Sequence, residues 1–264
     1  MVSIRIDNLK LQVPDGMTAL EAARSEGIDI PTLCYHKALG PQGVCRLCVV
    51  EAEGPGLNRT VLPSCNLTGF EGLKIYTHSP LILSLRKTIV GLLLANTTPS
   101  EQLIEIAVKL GVEPARFRSA RQDPCLLCGL CVKVCRSSIG AAALSFSGGE
   151  QNSRVVAGHI VMNEQACVGC GTCANICPVQ ALRIEDSAKE RTVVLYGAVV
   201  NRLELVECEI CGLAHTTRKF MDSVLARLDP DQKSGFRNLC PECSRRHFAE
   251  ALGGLFPPDG DSVS

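Results

Sequence analysis

Apolar and polar residues alternate over residues 2–13, VSIRIDNLKLQV, on either side of an Asp-Asn pair. Alternation with a period of two predicts two half-buried strands, and the Asp-Asn pair predicts the turn that joins them. Thr18 then precedes Glu21 by three residues. This spacing forms a capping box and predicts a helix that ends near Gly27.

Apolar stretches at 47–50 and 73–76 predict further strands. The order of strand, strand and helix, followed by a loop that contains cysteines, predicts a β-grasp domain over residues 1–79. The fold class that we expect for the whole chain is therefore α+β, with a β-grasp domain at its start.

A helical connector is predicted over residues 80–118. Ser79 and Pro80 begin one helix, which should reach about Ala95, because proline is favoured at the first helical position. The sequence Thr98-Pro99-Ser100-Glu101 begins a second helix in the same way, with a capping box, and Gly111 ends it. Its apolar face consists of Leu103, Ile106, Ala107 and Leu110.

The second half of the chain divides by composition. Residues 119–186 contain two dense runs of cysteines, and residues 187–206 are rich in β-branched residues. A small module with paired cysteines follows, and we take residues 187–264 as a C-terminal module with a tail. The last residues, PPDGDSVS, predict a disordered end.

The chain has sixteen cysteines among 264 residues, and they fall into four groups of four. The start, MVSIRIDNLK, lacks a basic segment followed by an apolar run, and Arg86 and Lys87 interrupt the longest apolar stretch at 81–95. These features predict a soluble cytoplasmic protein, in which clustered thiols bind metal or carry out redox chemistry. The 27 basic and 27 acidic residues balance, which gives no support to binding nucleic acid through its phosphates.

The segments CLLCGLCVKVC (125–135) and CVGCGTCANIC (167–177) share the spacing C-x2-C-x2-C-x3-C. This is the bacterial ferredoxin pattern for a [4Fe–4S] cube, in which the fourth cysteine of each run binds the other cube. Zinc, disulfides or a thioredoxin-like pair would not explain two such dense runs. The predicted ligand sets are Cys125, Cys128, Cys131 and Cys177 for the first cube, and Cys135, Cys167, Cys170 and Cys173 for the second.

The first cysteine group has the spacing C-x10-C-x2-C-x16-C. A four-thiolate site on a loop of a β-grasp domain suits a [2Fe–2S] cluster, and structural zinc is the alternative. Its predicted ligands are Cys34, Cys45, Cys48 and Cys65.

PTLCYH…GVCRLCVVE resembles the N-terminal [2Fe–2S] domain of the large iron–sulfur subunit of respiratory complex I. Iron-only hydrogenases and the diaphorase iron–sulfur subunit of NAD-linked nickel–iron hydrogenases have a similar domain. LRKTIVGLLLAN and LGVEPARF resemble the connector in those proteins, and the domain with two cubes follows in the same order. The resemblance covers about residues 1–186.

The chain departs from this resemblance at the end of the connector. In these families an Ala-Asn-His motif and three cysteines bind a further [4Fe–4S] cluster, but here Thr97 replaces the histidine and no cysteine follows. That cluster should be missing, and His78, one helix upstream, should be a surface or structural residue. The chain also has no cysteine-rich domain that could form the active site of an iron-only hydrogenase.

The last cysteine group consists of CEIC (208–211) and CPEC (240–243). Two such pairs predict a tetrahedral metal site, either structural zinc or a further [4Fe–4S] cluster, with Cys208, Cys211, Cys240 and Cys243 as ligands. His215 and His247 are candidate substitutes. The segment TTRKFMDSVLARL between the pairs predicts one helix, with an inward face that consists of Phe220, Met221, Val224, Leu225 and Leu228.

These ligand sets predict an electron-transfer protein with one [2Fe–2S] cluster and two [4Fe–4S] clusters, and we favour zinc over a third [4Fe–4S] cluster at the last group. No nucleophile–base pair or dinucleotide fingerprint is present, so we predict no catalytic residue, and donors and acceptors must lie on partner subunits. The resemblance implies a hetero-oligomer in which the chain lies between a flavin subunit that handles NAD(P)H and a catalytic subunit.

We favour a nickel–iron hydrogenase as the catalytic partner, with an NAD-linked formate dehydrogenase as the alternative. Some similar assemblies also use ferredoxin and bifurcate electrons. Two alternative functions of other classes are an iron–sulfur assembly scaffold and a zinc-binding redox sensor.

Overall fold

The computed structural model describes residues 1–97, 100–113, 125–147 and 159–251. The strands are β1 (Val2–Ile6), β2 (Leu9–Val13), β3 (Tyr35–His36), β4 (Gly40–Pro41), β5 (Val49–Gly54), β6 (Leu57–Pro63), β7 (Leu73–Tyr76), β8 (Leu144–Ser147), β9 (His159–Met162), β10 (Leu182–Asp186), β11 (Glu190–Leu195), β12 (Ala198–Glu207) and β13 (Ala214–Thr217). The helices are α1 (Ala19–Ser25), α2 (Pro80–Asn96), α3 (Glu101–Lys109), α4 (Leu130–Val134), α5 (Thr172–Asn175), α6 (Arg218–Leu225), α7 (Pro230–Ser234) and α8 (Pro241–Ala251). Within these ranges, no helix combines the length and the apolar character needed to cross a bilayer.

The first part of the chain folds into a mixed five-stranded sheet with the strand order β2-β1-β7-β5-β6. β1 and β7 pair in parallel, and the other neighbours are antiparallel. α1 packs against the sheet through Leu20, which shares one buried core with Ile6 and Ile75. The predicted capping box is confirmed, because the Thr18 hydroxyl accepts from the Glu21 N–H and the Glu21 carboxylate accepts from the Thr18 N–H.

The strand β6 was not predicted, and it explains the long spacing before the fourth cysteine. β5 and β6 form a hairpin that occupies most of the segment between Cys48 and Cys65. Beside the end of this hairpin, the backbone N–H and the hydroxyl of Ser64 both donate to the Cys48 carbonyl, at 3.0 and 2.7 Å. The hairpin therefore returns the chain to its starting point and brings the two cysteines together.

Two helices follow the sheet, and the first begins where it was predicted. The Ser79 hydroxyl accepts from the Ile82 N–H, which caps α2. α3 begins at Glu101 with Ser100 as its cap, later than the predicted start at residues 98–99, which lie outside the described residues. Of its predicted apolar face, Leu103 and Ala107 are fully buried and the other two positions are half-buried.

The segment with the dense cysteines contains short helices that begin at glycines. Gly129 precedes α4 with a φ of 77°, and Gly171 precedes α5 with a φ of 76°, conformations that favour glycine. α4 continues into a π-helical turn, Cys135–Ile139. β8 and β9 form an antiparallel pair beside these helices.

A four-stranded antiparallel sheet, β10-β11-β12-β13, joins this segment to the C-terminal part of the chain. β10 and β11 pair directly across the boundary predicted between residues 186 and 187. The two predicted domains on either side of that boundary thus share one sheet.

The C-terminal part differs from the prediction of one inward-facing helix. Three helices, α6, α7 and α8, follow β13, and α6 has no buried residue. Phe220, Met221, Val224 and Leu228 instead line an open cavity of about 710 Å³ between these helices. The module is too small to enclose its apolar side chains. The predicted disordered tail falls outside the described residues.

Candidate metal centres

The four cysteines of the first group lie together in the loops beside the five-stranded sheet, and all are at most 4% exposed. They form two pairs. The Sγ atoms of Cys34 and Cys45 are 3.3 Å apart, and Cys48 forms a side-chain hydrogen bond with Cys65. Each iron of a [2Fe–2S] cluster takes two of its four thiolates, so a donor set divided into two close pairs fits this cluster.

The pKa values of these thiols differ within each pair. Hydrogen bonding to Cys45 lowers the pKa of Cys34 to about 6, and the same contact together with burial raises the pKa of Cys45. Hydrogen bonding to Cys65 likewise lowers the pKa of Cys48 to about 6, whereas the pKa of Cys65 is raised. One thiol of each pair is thus ready to ionise, and the other needs the charge of a metal to lose its proton.

The eight dense cysteines lie on α4, α5 and the turns before and after them. The backbone N–H of Leu127 donates to the Cys125 sulfur at 3.3 Å, and that of Ala143 donates to the Cys135 sulfur at 3.3 Å. Such N–H···S bonds favour the anionic thiolate. Burial raises the pKa values of Cys128, Cys131 and Cys173 to about 12.

Mutual electrostatic effects indicate which thiols lie close together. The charges of Cys125 and Cys177 both raise the pKa values of Cys128 and Cys131. In the same way, the charges of Cys135 and Cys170 raise the pKa values of Cys167 and Cys173. The charge of Cys177 thus reaches thiols of the first run, and the charge of Cys135 reaches thiols of the second run.

One small, partly open cavity is lined by Cys135, Cys167, Cys170 and Cys173. Apolar side chains complete its wall, among them Leu144 and Met162. Four thiols in an otherwise apolar lining are a donor set that suits an iron–sulfur cube.

The first group and the dense cysteines meet in one buried core. This core contains Cys34 and Cys45 from the first group, Cys128 from the first dense run, and Cys173 packed against its edge. Leu47 and Leu130 belong to the same core. The charge of Cys34 also acts on the Cys128 thiol, which places the two groups within electrostatic reach of each other.

The last four cysteines have a different geometry, because all four sulfurs lie within 4.8 Å of one another. The Cys211 and Cys240 sulfurs are 3.7 Å apart. A tetrahedral zinc ion with Zn–S bonds of about 2.3 Å separates its thiolates by about 3.8 Å. A cube binds each thiolate through a different iron and needs wider spacing, so this donor set fits a single ion.

Backbone hydrogen bonds prepare this site for a cation. Burial opposes the ionisation of Cys208, but backbone N–H groups, chiefly those of Cys240 and Cys211, lower its pKa to about 6. His215, a candidate substitute ligand, hydrogen-bonds Asn238 through Nε2 at 2.9 Å, and His247 lines the cavity between the helices. The candidate ligands in closest mutual contact are thus the four cysteines.

Residues that the sequence reasoning missed hold the loop of the second dense run. Thr217, fully buried, donates from its hydroxyl to the Val168 carbonyl. Lys219 donates to the carbonyls of Glu164 and Gln165 at 3.1 and 2.8 Å. A sequence signal existed for Thr217, because a threonine before the amphipathic segment marks a helix cap.

Arg191 holds the same loop from the shared sheet. Its guanidinium donates to the Gly169 carbonyl at 2.8 Å and forms two hydrogen bonds with the Asp186 carboxylate. The Arg191 bonds hold the pKa of Asp186 below its ordinary value. No pattern in the sequence identified this pair, since its importance depends on where the loop folds.

Comparison with known protein families identifies two iron–sulfur domains. Residues 1–80 match the family described as 2Fe-2S iron-sulfur cluster binding domain, and residues 159–182 match the family described as 4Fe-4S binding domain. The chain therefore contains both kinds of domain, as the cysteine spacing predicts.

Curated relatives are subunits of larger oxidoreductases. The chain is 31% identical to an NADH-quinone oxidoreductase subunit from Rhizobium meliloti (strain 1021) over 209 residues, which cover 69% of this chain and 24% of the relative. It is 30% identical to NADP-reducing hydrogenase subunit HndD of Solidesulfovibrio fructosivorans over 214 residues, which cover 69% of this chain and 36% of the relative. The chain thus spans between about a quarter and about a third of the length of these proteins.

One solved structure matches a larger share of its own chain. A chain in the crystal structure of NAD+-reducing [NiFe]-hydrogenase in the H2-reduced state superposes with a TM-score of 0.58 at 28% identity, over 68% of this chain and 85% of that chain. These matches confirm the resemblance that the cysteine motifs indicated.

Proposed function

We propose that this chain, an iron–sulfur protein related to subunits of NAD(P)H-linked oxidoreductases and hydrogenases, relays electrons between two partner subunits. The [2Fe–2S] cluster would be held by Cys34, Cys45, Cys48 and Cys65. The first cube would be held by Cys125, Cys128, Cys131 and Cys177, and the second by Cys135, Cys167, Cys170 and Cys173. When bound, each cluster supplies one-electron redox chemistry at thiolate-ligated iron.

The observation that carries this proposal is the shared core between the first and second cysteine groups. Cys34 and Cys128 belong to the same buried cluster, together with Leu47 and Leu130. A [2Fe–2S] site and a cube on either side of this core would be separated by packed side chains instead of water. The residues of the core would hold the two sites at a fixed spacing, which a relay requires.

The sequence of sites supports a path that begins in the β-grasp region and ends beside the C-terminal sheet. Burial is the main cause that raises the pKa of Cys131, from the first run, and the charge of Cys173, from the second, adds to it, which supports neighbouring positions for the two proposed cubes. The resulting order would be [2Fe–2S] site, first cube, second cube.

We propose zinc, and not a further cube, for the last four cysteines. All four sulfurs lie within 4.8 Å of one another, which is close to the spacing of a tetrahedral ion. A redox-inert ion there would leave this module outside the relay and give it a structural role.

The proposed partners are a flavin subunit that handles NAD(P)H and a hydrogenase catalytic subunit. Two of the similar proteins, an NADP-reducing hydrogenase subunit and a chain of an NAD+-reducing [NiFe]-hydrogenase, carry hydrogenase in their names. An NAD-linked formate dehydrogenase is the alternative catalytic partner, and co-purification with the native complex decides between the two.

An assembly scaffold would need to release its cluster, which requires access to the ligands. The predicted [2Fe–2S] ligands are at most 4% exposed, which argues for a resident cofactor. If the purified protein transfers its [2Fe–2S] cluster readily to an apo-ferredoxin, the scaffold replaces the relay.

The test is metal and sulfide analysis of the anaerobically purified chain, with EPR after stepwise reduction. We expect about ten irons and one zinc per chain, with signals from one [2Fe–2S] and two [4Fe–4S] clusters. About fourteen irons without zinc would overturn the zinc assignment alone. Fewer than about four irons in fresh protein would overturn the relay.

A further inference from the structure

Arg86 is the bulkiest fully buried side chain in the described part of the chain, with 1% of its surface exposed. It lies on α2 in line with Ile82 and Val90, which are also fully buried. Residues four apart share a helix face, so Arg86 places a cation in the middle of an apolar stripe. Such a charge is expensive to remove from water unless an opposite charge compensates for it.

The protein itself provides only partial compensation. The Nη2 atom donates to the Val49 carbonyl at 2.9 Å, and the buried Nε has no hydrogen-bond partner. Among the described residues, no carboxylate forms an ion pair with the guanidinium. Asp29 and Asp7 act on it only at longer range.

The strongest negative influence on Arg86 comes from a predicted cluster ligand. The ionised Cys48 thiolate acts on the guanidinium more strongly than Asp29 or Asp7 does. The contact with Val49 explains this, because Val49 is the residue directly after Cys48. Arg86 therefore reaches from α2 to the backbone directly after the predicted ligand Cys48.

We propose that Arg86 is the counter-charge of the [2Fe–2S] site and a positioning residue that raises its reduction potential. This inference rests on the proposed function, since it requires a cluster at Cys34, Cys45, Cys48 and Cys65. Two ferric ions, two sulfides and four thiolates leave such a site with a net charge of minus two, and one added electron makes it minus three. A fixed cation in a weakly polarisable interior stabilises the reduced form more than the oxidised form.

The reduction itself balances without a proton. One electron from the donor reduces one ferric ion to the ferrous state, and no bond to the protein forms or breaks. Burial lowers the pKa of Arg86, but a guanidinium titrates so far above neutrality that it remains protonated there, and its charge does not change when the cluster is reduced. The potential of this cluster is therefore expected to vary little between pH 6.5 and 8.5.

The test is an EPR-monitored redox titration of the [2Fe–2S] cluster in the full-length chain, with dithionite as reductant. Arg86→Met keeps the length of the side chain and removes the charge. Arg46→Met is the matched control, because Arg46 lies between Cys45 and Cys48 in sequence but is exposed to water. Arg86→Lys keeps a charge at the buried position.

We expect Arg86→Met to shift the equilibrium toward the oxidised cluster at least tenfold, which is about 59 mV to lower potential. Arg46→Met should shift the same equilibrium less than about twofold, since solvent screens an exposed charge. The shift at Arg86 should persist in 1 M salt, where a surface effect would disappear. An unchanged potential in Arg86→Met, or an equal shift in Arg46→Met, would overturn the inference.

Two further outcomes separate this inference from the proposed function. A wild-type chain without a [2Fe–2S] signal overturns the proposed function, and the role of Arg86 with it. If wild type has the signal but Arg86→Met retains no iron, Arg86→Lys decides. If this equilibrium in Arg86→Lys stays within twofold of wild type, the counter-charge is supported. If it shifts tenfold or more toward the oxidised cluster, the inference is overturned.

Discussion

The first and last cysteine groups each present four thiols, yet the structure arranges them differently. In the first group, the sulfurs form two pairs, with 3.3 Å between Cys34 and Cys45. In the last group, all four sulfurs lie within 4.8 Å of one another. The first four cysteines are fully buried, whereas Cys211 of the last group is exposed. The same residue type in the same number thus fits a two-iron cluster in one region and a single ion in the other.

The surroundings of the two groups also differ. The first group lies beside a five-stranded sheet with its own apolar core, and it contacts the first dense run through packed side chains. The last group has a small core, in which Leu239 packs against Cys208, Cys240 and Cys243. A region with a large core can hold a cofactor without depending on it, while a small module depends on its metal to fold.

The largest effect is predicted for the last cysteine group, whose module depends most on its metal. Cys240→Ser should release the proposed zinc ion and unfold the C-terminal module, because structural zinc contributes on the order of 10 kcal/mol to such modules. Cys48→Ser should lose the [2Fe–2S] cluster but leave the five-stranded sheet folded. Hydrogen exchange of both variants, with metal analysis, measures these outcomes. If Cys240→Ser retains protected amides in α8 without zinc, the module does not depend on its metal.

The next effect concerns how the C-terminal part is attached to the second dense run. Gly169 has a φ of +69°, and an added Cβ would lie 2.8 Å from the Thr217 Cγ2 atom and 3.1 Å from the Leu203 Cδ1 atom. Gly169→Ala should therefore cost about 2–3 kcal/mol of unfolding free energy and broaden the EPR signal of the proposed second cube alone.

Gly197→Ala is the control for this substitution. Gly197 has a φ of +80°, but nothing lies within 4 Å of its added Cβ, so only backbone strain of about 1 kcal/mol is expected. If urea denaturation shows the same loss of unfolding free energy for both variants, Thr217 does not pack against the loop at Gly169.

A smaller effect is expected from the hydrogen bonds of the Thr217 hydroxyl, which lies next to Gly169. Thr217→Val removes the hydroxyl that donates to the Val168 carbonyl and accepts from the Phe220 N–H. Because both groups lose a partner, the unfolding free energy should fall by about 1–3 kcal/mol. Thr88→Val on the exposed face of α2, where the hydroxyl bonds only the Ser84 carbonyl, should change it by less than about 0.5 kcal/mol. If the two variants are equally stable, the C-terminal part does not hold the loop through Thr217.

Much of the fold could be predicted from local sequence, and the reason is physical. The capping box at Thr18, the alternation in β1 and β2, and the proline after Ser79 are signals within a few residues of the elements that they begin. β6 was missed because its place depends on pairing with β5. The predicted inward face of α6 proved open to a cavity, because periodicity shows which residues share a face but not whether the module can cover it.

The candidate sites divide in the same way. Cysteine spacing predicted the ligands, since a cluster demands thiolates at set intervals, but the supporting residues are distant in sequence. Arg86 contacts Val49 across 37 residues, and Thr217 contacts Val168 across 49. The one sequence signal for Arg86 was a cation at helical spacing between apolar residues, which alone does not reveal the charge that it faces.

The smallest predicted effect tests the ion pair that orients Arg191 toward the Gly169 carbonyl. Asp186 is ionised at neutral pH, and its pKa is held below the ordinary value by the Arg191 hydrogen bonds. A carboxyl whose pKa is lowered on folding stabilises the protein fully at any pH above its ordinary pKa, near 4. This stability is lost only as the pH falls through the lower pKa of the folded protein. Asp186→Asn should therefore lower the free energy of unfolding by the same amount at every pH from 5 to 8. This amount should be at most about 1 kcal/mol, since the pair is partly exposed. Glu185→Gln, on the same strand and exposed, should cost nothing measurable. A cost for Asp186→Asn that shrinks between pH 8 and 5 would mean that the carboxylate titrates in this range and does not hold Arg191 in the way that its geometry indicates.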